Sequence, residues 1–186
     1  MDNGASSYRR YLEGDDEGIA EIVREYKDGL ILYLNSYVDN LYTAEDLTED
    51  TFFRLMTRKP RFSERSTFKT WLYTIGRNIA VDWLRHASKQ TEIAPEDMER
   101  YREEESDLEG SYIREEHKRA VHRSLGKLAR DYRNVLWLVY FEDFTSRETG
   151  RILGKSERQM KNLLYRAKQA LKSELEQEGF TYEELG

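Results

Sequence analysis

The chain has 186 residues, of which 35% are charged and 38% hydrophobic, and its formal net charge is −6. This length suits one or two small domains. Cysteine is absent, which excludes disulfide frameworks, thiolate metal sites and cysteine nucleophiles. No apolar run reaches the roughly 18–20 residues of a membrane span, and the first ten residues lack the apolar stretch of a signal peptide. We therefore expect a cytoplasmic protein without direct membrane insertion.

Only two prolines occur and no long alternating strand pattern is present, which favours an all-α fold. A first helix is predicted over 15–42, because apolar residues recur there at spacings of three and four. Asp15 or Asp16 is placed to cap this helix, and Gly29 marks a break or kink. A second helix is predicted over 43–58.

The second predicted helix has start and stop signals. Thr43 begins the run T-A-E-D, which resembles a capping box with Asp in place of Glu or Gln. Pro60 ends the helix, because the residue before a proline is pushed out of helical geometry. A short basic loop follows, and a third helix is predicted over 66–86. Its apolar residues form one stripe: Phe68, Trp71, Leu72, Ile75, Ile79 and Trp83.

Residues 89–111 contain few large apolar side chains and the acidic run 103–107. Such a composition cannot offset its ordering entropy by burial, so it predicts a flexible acidic linker. A short exposed helix is the alternative. On this basis the first domain covers 10–88 and the linker 89–111.

The second domain is predicted over 112–176, followed by an acidic tail over 177–186. Helices are predicted over 112–128 and 131–142. The run V-L-W-L-V-Y-F (135–141) is apolar on every side and fits a strand by pattern alone, but the absence of a partner strand favours a buried helix.

A helix-turn-helix is predicted after residue 144. Thr145 or Ser146 caps a short helix that ends at Leu153, Gly154 supplies the left-handed turn residue, and Ser156 caps a second helix. The Arg, Lys, Asn and Gln side chains of the second helix suit base edges and phosphates in a major groove. A plain helical hairpin with a lysine-rich face is the alternative.

Charge is segregated along the chain. Residues 1–50 carry 4 basic and 13 acidic groups, residues 51–85 carry 8 and 2, residues 91–118 carry 4 and 11, and residues 147–172 carry 8 and 2. Exposed charges farther apart than about 8–10 Å are screened at physiological salt, so the two basic blocks can engage phosphates despite the net acidity. Ordinary solvated helix faces explain the same pattern.

Three stretches, in this order, resemble the extracytoplasmic-function group of bacterial sigma-70-type sigma factors: A-E-D-L-T-E-D-T-F-F-R-L (44–55), F-K-T-W-L-Y-T-I-G-R-N-I-A-V-D-W-L-R (68–85) and residues 140–171, around F-T-S-R-E-T-G-R-I-L-G-K-S-E-R. The resemblance covers nearly the whole chain. It implies a protein that binds core RNA polymerase and directs it to promoters, with an anti-sigma factor as a further partner. It also implies no active site, no cofactor, no metal and no small-molecule substrate.

The resemblance assigns roles to particular positions. An acidic, partly apolar helix face suits a basic coiled-coil partner, and this face would dock on the polymerase. Its residues are Asp46, Leu47, Glu49, Asp50 and Phe53. The minus-ten element would be opened and read by Arg61, Phe62, Ser63, Arg65, Trp71, Arg77, Asn78 and Asp82. The minus-thirty-five element would be read by Ser156, Arg158, Gln159, Lys161, Asn162, Tyr165 and Arg166.

Structural roles remain open for three of these side chains. Trp71 lies on the apolar stripe, Asp82 has Arg85 or Arg77 within reach, and Tyr165 is near the turn. We expect the minus-ten and minus-thirty-five surfaces to have no fixed relative position in the free protein, since a linker alone joins them. We also expect the free protein to bind DNA poorly.

The sequence also departs from the family pattern. Thr149 and Gly150 replace an aliphatic residue and an alanine, Leu163 replaces a frequent basic residue, and Ala129 replaces a proline. These departures affect promoter choice rather than family membership.

Rival interpretations are a single-domain helix-turn-helix regulator, which leaves 43–85 without a role, and a helical adaptor without DNA affinity. An enzyme is a third interpretation, but the three histidines form no catalytic arrangement.

Overall fold

The computed structural model describes residues 3–91 and 112–180, and these residues form helices and connecting turns without a strand. The all-α prediction is therefore confirmed. The helices are α1 (Asn3–Leu12), α2 (Glu17–Val38), α3 (Leu41–Arg58), α4 (Phe68–Thr91), α5 (Tyr112–Lys127), α6 (Arg130–Tyr140), α7 (Ser146–Leu153) and α8 (Glu157–Gln177). We call α1–α4 the N-terminal unit and α5–α8 the C-terminal unit.

Helix α1 lies before the first predicted helix and was not expected. It packs closely on α2 and α4, because a Cβ on Gly4 would meet Phe68 at 2.5 Å and one on Gly18 would meet the backbone oxygen of Ser7 at 2.2 Å. Tyr8 and Tyr11, three residues apart, are its buried aromatic side chains. That spacing is a helical signal, which the polar composition of residues 1–10 obscures.

The boundary between α2 and α3 differs from the prediction. Helix α2 runs through Gly29 without a break and ends at Val38, and Asp39 adopts a left-handed conformation. Asn40, not Thr43, is the N-cap of α3, because its side-chain oxygen accepts the Thr43 backbone N–H at 2.9 Å. Asn is among the best N-cap residues, so it outcompetes the threonine three residues later.

The core of the N-terminal unit consists of fully buried aliphatic side chains and stacked tyrosines. Leu30, Leu34 and Leu72 are inaccessible to solvent. The rings of Tyr33 and Tyr73 stack with centroids 5.3 Å apart. Each fully buried aliphatic side chain contributes about 1.5–3 kcal/mol relative to exposure, so this cluster fixes the relative positions of α2 and α4.

The apolar run at 135–141 is helical, as predicted. Val135, Leu136 and Leu138 of α6 are buried. The helix-turn-helix is also confirmed: α7 and α8 are joined by a short turn in which Gly154 has a φ of 64°. Positive φ costs glycine little, which explains why glycine occupies this position.

The two units pack against each other, contrary to the expectation that only a linker restrains them. Ser36 donates to Asn134 at 2.7 Å, and the Arg133 Nε donates to the Ser36 carbonyl at 3.0 Å. Glu142 is 10% exposed at its side chain and accepts from Tyr73 at 2.7 Å and from the Lys69 ammonium at 3.0 Å. Sequence periodicity shows that a helix face is apolar but does not show which polar residues meet across a contact.

Residues 92–111 and 181–186 lie outside the described residues, so the linker remains a prediction over most of its length. Helix α4 continues to Thr91 and therefore includes the first residues assigned to the linker. Within the described parts of the chain, no helix is both long and apolar enough to cross a membrane.

Candidate nucleic-acid interface

Helix α8 presents a basic face to solvent. Its inward side is anchored by Met160 and Ala167, which are buried. Tyr165 is 66% exposed, so it does not merely pack against the turn. The other exposed side chains of the predicted reading set on this helix are Arg158, Gln159, Lys161, Asn162 and Arg166. Cations and amides exposed along the first turns of the second helix fit major-groove recognition.

Two members of this set also form the N-cap of α8. The Ser156 hydroxyl accepts the Gln159 backbone N–H at 3.3 Å, and the Gln159 side chain accepts the Ser156 N–H at 2.8 Å. This capping box satisfies helix N–H groups that otherwise lack partners. The cap uses the two side-chain oxygens as acceptors, so the Ser156 hydroxyl proton and the Gln159 amide N–H groups remain donors that can reach a base while the cap is intact.

Charge along α8 is partly neutralised. The Lys161 ammonium lies 2.9 Å from Glu157, four residues earlier. The pKa of Glu157 is lowered, chiefly by the hydrogen bond from Lys161. Arg158 and Arg166 are the exposed arginines of the reading set, and arginine is the side chain that reads guanine edges and phosphates in bidentate geometry.

Close packing explains Gly150, one of the two unusual residues of α7, whereas nothing in the structure explains Thr149, whose buried hydroxyl has no hydrogen-bond partner. Thr149 and Gly150 are buried. A Cβ on Gly150 would meet the Lys155 carbonyl oxygen at 3.1 Å, so an alanine there requires the turn to shift by a few tenths of an ångström. Glycine therefore allows a tighter turn between α7 and α8, and the departure at position 150 is compatible with a well-formed motif.

The basic loop between α3 and α4 exposes Arg61, Ser63 and Arg65. Its Phe62 is half-buried and contacts Trp71, with ring centroids 5.1 Å apart. Trp71 also contacts Phe68 at 5.5 Å. A packing role is thus favoured for Trp71, because its ring is part of an aromatic cluster that is accessible only on its outer side.

The polar members of the predicted minus-ten set on α4 occupy different environments. Asn78 is exposed, whereas Arg77 is half-buried. The exposed Asp82 pairs with Arg85 at 3.3 Å, one of the two partners that the sequence offers. Arg77 and Arg85 line a cavity of about 370 Å³ between α4 and the C-terminal unit, together with Arg130 and Lys155.

The C-terminal unit contacts the basic loop directly, which no sequence signal indicates. Arg151 of α7 donates to the Arg65 carbonyl at 2.6 Å. Glu148 accepts from Thr67 and Thr70 at 3.4 Å each. These contacts depend on how the units dock, and docking is a tertiary property.

Helix α3 has an acidic face with exposed aromatic and apolar side chains. Asp46, Glu49 and Asp50 are exposed, and Phe53 is 60% exposed. Leu47 is only 3% exposed, so its assignment to a docking surface is corrected: its side chain packs into the core. Tyr42 was not among the predicted docking residues, yet it is 70% exposed, and exposed aromatic residues are typical of interface centres.

Among the described residues, no group of three or more His, Asp or Glu side chains is arranged to hold a metal ion. The geometry defines a class: an all-helical, two-unit protein with a helix-turn-helix that presents a basic recognition helix. Comparisons with known proteins specify the family. The family model described as Sigma-70 region 2 matches residues 22–90, and that described as Sigma-70, region 4 matches residues 118–171.

Curated relatives agree with the family models. The chain is 30% identical over 164 residues to RNA polymerase sigma factor YlaC of Bacillus subtilis, with 86% of this chain and 92% of that protein covered. It is 28% identical over 175 residues to ECF RNA polymerase sigma factor SigW of the same organism, with 90% and 94% covered. It spans 62% of ECF RNA polymerase sigma factor BldN of Streptomyces coelicolor, at 28% identity over 87% of this chain.

Two solved structures share the fold. One is sigma factor RpoE of Bartonella quintana in complex with anti-sigma factor NepR, with a TM-score of 0.71 and 21% identity over 84% of this chain and 96% of that one. The other is CnrH in complex with the cytosolic domain of CnrY, with a TM-score of 0.64 and 22% identity over 94% and 95%. The chain belongs to the extracytoplasmic-function group of the sigma-70 family, whose members are transcription initiation factors. A single-domain regulator is excluded as an explanation, because residues 22–90 match a family region of their own.

Proposed function

We propose that the protein is an alternative sigma factor that binds core RNA polymerase and directs it to specific promoters. The observation that carries this proposal is the presence, on one chain, of an exposed acidic face on α3 and an exposed basic face on α8, within the two matched sigma regions. An adaptor without DNA affinity has no use for the second face. The protein acts in the cytoplasm, where the polymerase is, and has no active site of its own.

The acidic face of α3 is the proposed polymerase-docking surface. Asp46, Glu49, Asp50 and Phe53 recur at helical spacings of three and four, so they share one side of the helix. Acidic groups steer the approach of a basic partner and set its orientation, while the exposed phenylalanine supplies apolar area at the centre of the contact. Tyr42 extends this surface by one turn.

The basic loop and α4 are the proposed minus-ten reader. Arg61 and Arg65 are placed to contact the DNA backbone, and Ser63 and Asn78 offer hydrogen-bonding groups to an unpaired base. Phe62 and Trp71 have their rings in one cluster, so a base that stacks there meets an already ordered surface. A preordered surface loses less entropy on binding.

Helix α8 is the proposed minus-thirty-five reader. Arg158, Lys161, Asn162 and Arg166 supply base-edge and phosphate contacts. Polymerase would hold the two readers at the spacing of two promoter elements, which raises their effective concentration without new contacts. Because the units pack together in this structure, that spacing requires them to separate.

We also propose an anti-sigma factor as a partner. One structural neighbour is a sigma factor in complex with an anti-sigma factor, and the other, CnrH, is in complex with the cytosolic domain of CnrY. The cavity between α4 and the C-terminal unit is lined by four cationic side chains and one carboxylate, Asp131, and this positive balance favours an acidic segment of such a partner.

Run-off transcription with purified core polymerase tests the proposed function. We expect the protein to direct transcription from a subset of promoter fragments of its own genome. The variant Asp46→Lys/Glu49→Lys should lose polymerase binding, whereas Glu25→Lys/Asp28→Lys, the same charge change on the exposed surface of α2, should retain it. A wild-type protein that binds no polymerase, or binds it without directing it to any start site, contradicts the proposal.

A further inference from the structure

Helix α1 contacts the basic loop at the points where the loop backbone is most constrained. We define the reading loop as residues 59–67. Two of its residues, Lys59 and Glu64, have positive φ angles of 41° and 54°. Non-glycine residues adopt this left-handed conformation at a cost, and they persist in it only where surrounding structure holds them.

Side chains of α1 reach both of these residues. The Arg9 guanidinium lies 2.8 Å from the Glu64 carboxylate. The Lys59 ammonium lies over the Tyr11 ring, 4.8 Å from its centroid. An ion pair and a cation–π contact therefore connect one helix to the two strained positions of the loop.

Tyr8 holds the backbone between those positions. Its hydroxyl donates to the Pro60 carbonyl at 2.7 Å, and the residue is 1% exposed. Burial and the neighbouring Tyr11 raise the pKa of Tyr8 to about 12, so the hydroxyl remains a donor across the physiological range. Its ring also contacts Trp71, with centroids 5.4 Å apart. One buried side chain thus links the loop backbone to the aromatic cluster of α4.

We propose that Tyr8 and Arg9 are positioning residues that set promoter specificity at the minus-ten element by fixing the conformation of the reading loop. This inference rests on the proposed function. Neither residue needs to touch a base; each acts through the loop. Arg9 and Phe62 line the same cleft, of about 450 Å³, together with Glu64 and Ser66, so a displaced loop changes the shape that a base would meet.

A pair of tyrosine variants isolates the hydroxyl contact. Tyr8→Phe removes the donor to Pro60 and keeps the ring. Tyr11→Phe removes a hydroxyl that donates at 3.2 Å to the Met56 carbonyl, which belongs to α3 and not to the loop. The readout is the ratio of run-off transcription from templates with the preferred and each disfavoured base at every minus-ten position.

We expect Tyr8→Phe to lower this ratio about two- to tenfold, the effect of one buried hydrogen bond, and Tyr11→Phe to leave it unchanged. Polymerase affinity should be the same in both variants and in the wild type. Equal ratios for Tyr8→Phe and the wild type overturn the proposed role of Tyr8. An equal fall in both variants overturns it as well, because α1 would then act only through general stability.

A charge swap tests the ion pair. Arg9→Glu and Glu64→Arg should each reduce discrimination about two- to fivefold, the range of an exposed pair, and the double variant should recover most of it. Single variants that discriminate like the wild type, or a double variant no better than the weaker single one, overturn the role of the pair. These outcomes differ from failure of the proposed function, in which the wild type itself shows no promoter discrimination.

Discussion

Helices α4 and α8 carry the two proposed DNA-reading surfaces. These surfaces differ in how far neighbouring elements enclose them. The first turns of α4 are enclosed by α1, by the reading loop and by α7, so Trp71 contacts three other aromatic rings there. The first turns of α8 project into solvent, and Arg158, Asn162 and Arg166 are exposed. Neighbouring elements therefore order the α4 surface, whereas the N-cap and the buried face of α8 order the α8 surface.

This difference predicts that substitutions separate into two kinds. A change in the α4 surface alters folding stability together with recognition, because the same side chains serve both. A change at an exposed arginine of the α8 surface alters recognition alone, because these arginines contribute little to packing.

The largest expected effect is on the stability of the N-terminal unit. Trp71→Ala should lower the free energy of unfolding by about 2–4 kcal/mol, at or below the range for truncation of a buried aromatic residue. Chemical denaturation measures this change. Trp83→Ala, further along α4 and more exposed, is the matched control and should cost less than about 1 kcal/mol. Unchanged stability in Trp71→Ala would show that the Trp71 ring does not contribute to packing and serves only in DNA recognition.

A smaller effect is expected on DNA recognition by α8. Arg158→Ala should weaken recognition of the minus-thirty-five element by about 1–3 kcal/mol, the value of one good base contact. Competition between promoter fragments in the presence of polymerase measures it, with polymerase affinity and the unfolding midpoint unchanged. Lys172→Ala, on the same helix beyond the reading set, is the control. Reduced polymerase affinity in Arg158→Ala would contradict the assignment of this helix.

The next prediction concerns Ser156. Ser156→Ala should destabilise the C-terminal unit by about 1 kcal/mol through loss of the α8 cap, whereas Ser156→Thr should retain most of the stability. Thermal unfolding monitored by circular dichroism compares the three proteins. A Ser156→Thr variant that stays stable yet loses promoter recognition would instead place the Ser156 side chain on DNA.

The smallest effect concerns acid sensitivity of the contact between α7 and α4. Burial alone would raise the pKa of Glu148, but hydrogen bonds from Thr145, Thr70 and Thr67 outweigh it and hold the pKa below the ordinary value of 4.5. A depressed folded-state pKa contributes stability above the unfolded value, and this stability is lost as pH falls through the folded pKa.

Glu148→Gln should therefore be less stable than the wild type at neutral pH, and the gap should close as the solution becomes acidic. Denaturant midpoints of the two proteins across this pH range measure the gap. A gap that stays constant down to about pH 3 would show that the carboxylate charge does not contribute.

The sequence predicts the exposed parts of this protein better than the enclosed parts. The cap residues Thr145 and Ser156, the turn at Gly154 and the basic face of α8 follow from local patterns, because each depends on neighbouring residues in the chain. The acidic face of α3 was instead assigned through the family resemblance.

The predictions from sequence were wrong where tertiary contacts determine burial, capping or the presence of a helix. Leu47 lies between exposed acids in sequence, yet its angular position on α3 points it into the core. Thr43 has a plausible capping pattern, but Asn40 is the better cap. Helix α1 was missed because its two buried tyrosines lie among polar residues and because its close packing depends on Gly4 and Gly18, which give no apolar signal.

Glu142 sits beside Lys69 and Tyr73 where the two units meet. If the two units separate, water replaces Lys69 and Tyr73 as partners of Glu142. The carboxylate and the ammonium then regain their hydration, which offsets part of the free-energy cost of separation. This polar part of the junction is sensitive to dissolved ions, whereas the buried Phe144 ring, which packs on Tyr73 with centroids 5.1 Å apart, is not. Raising the ionic strength should therefore favour an extended particle, visible as a larger radius of gyration in X-ray scattering.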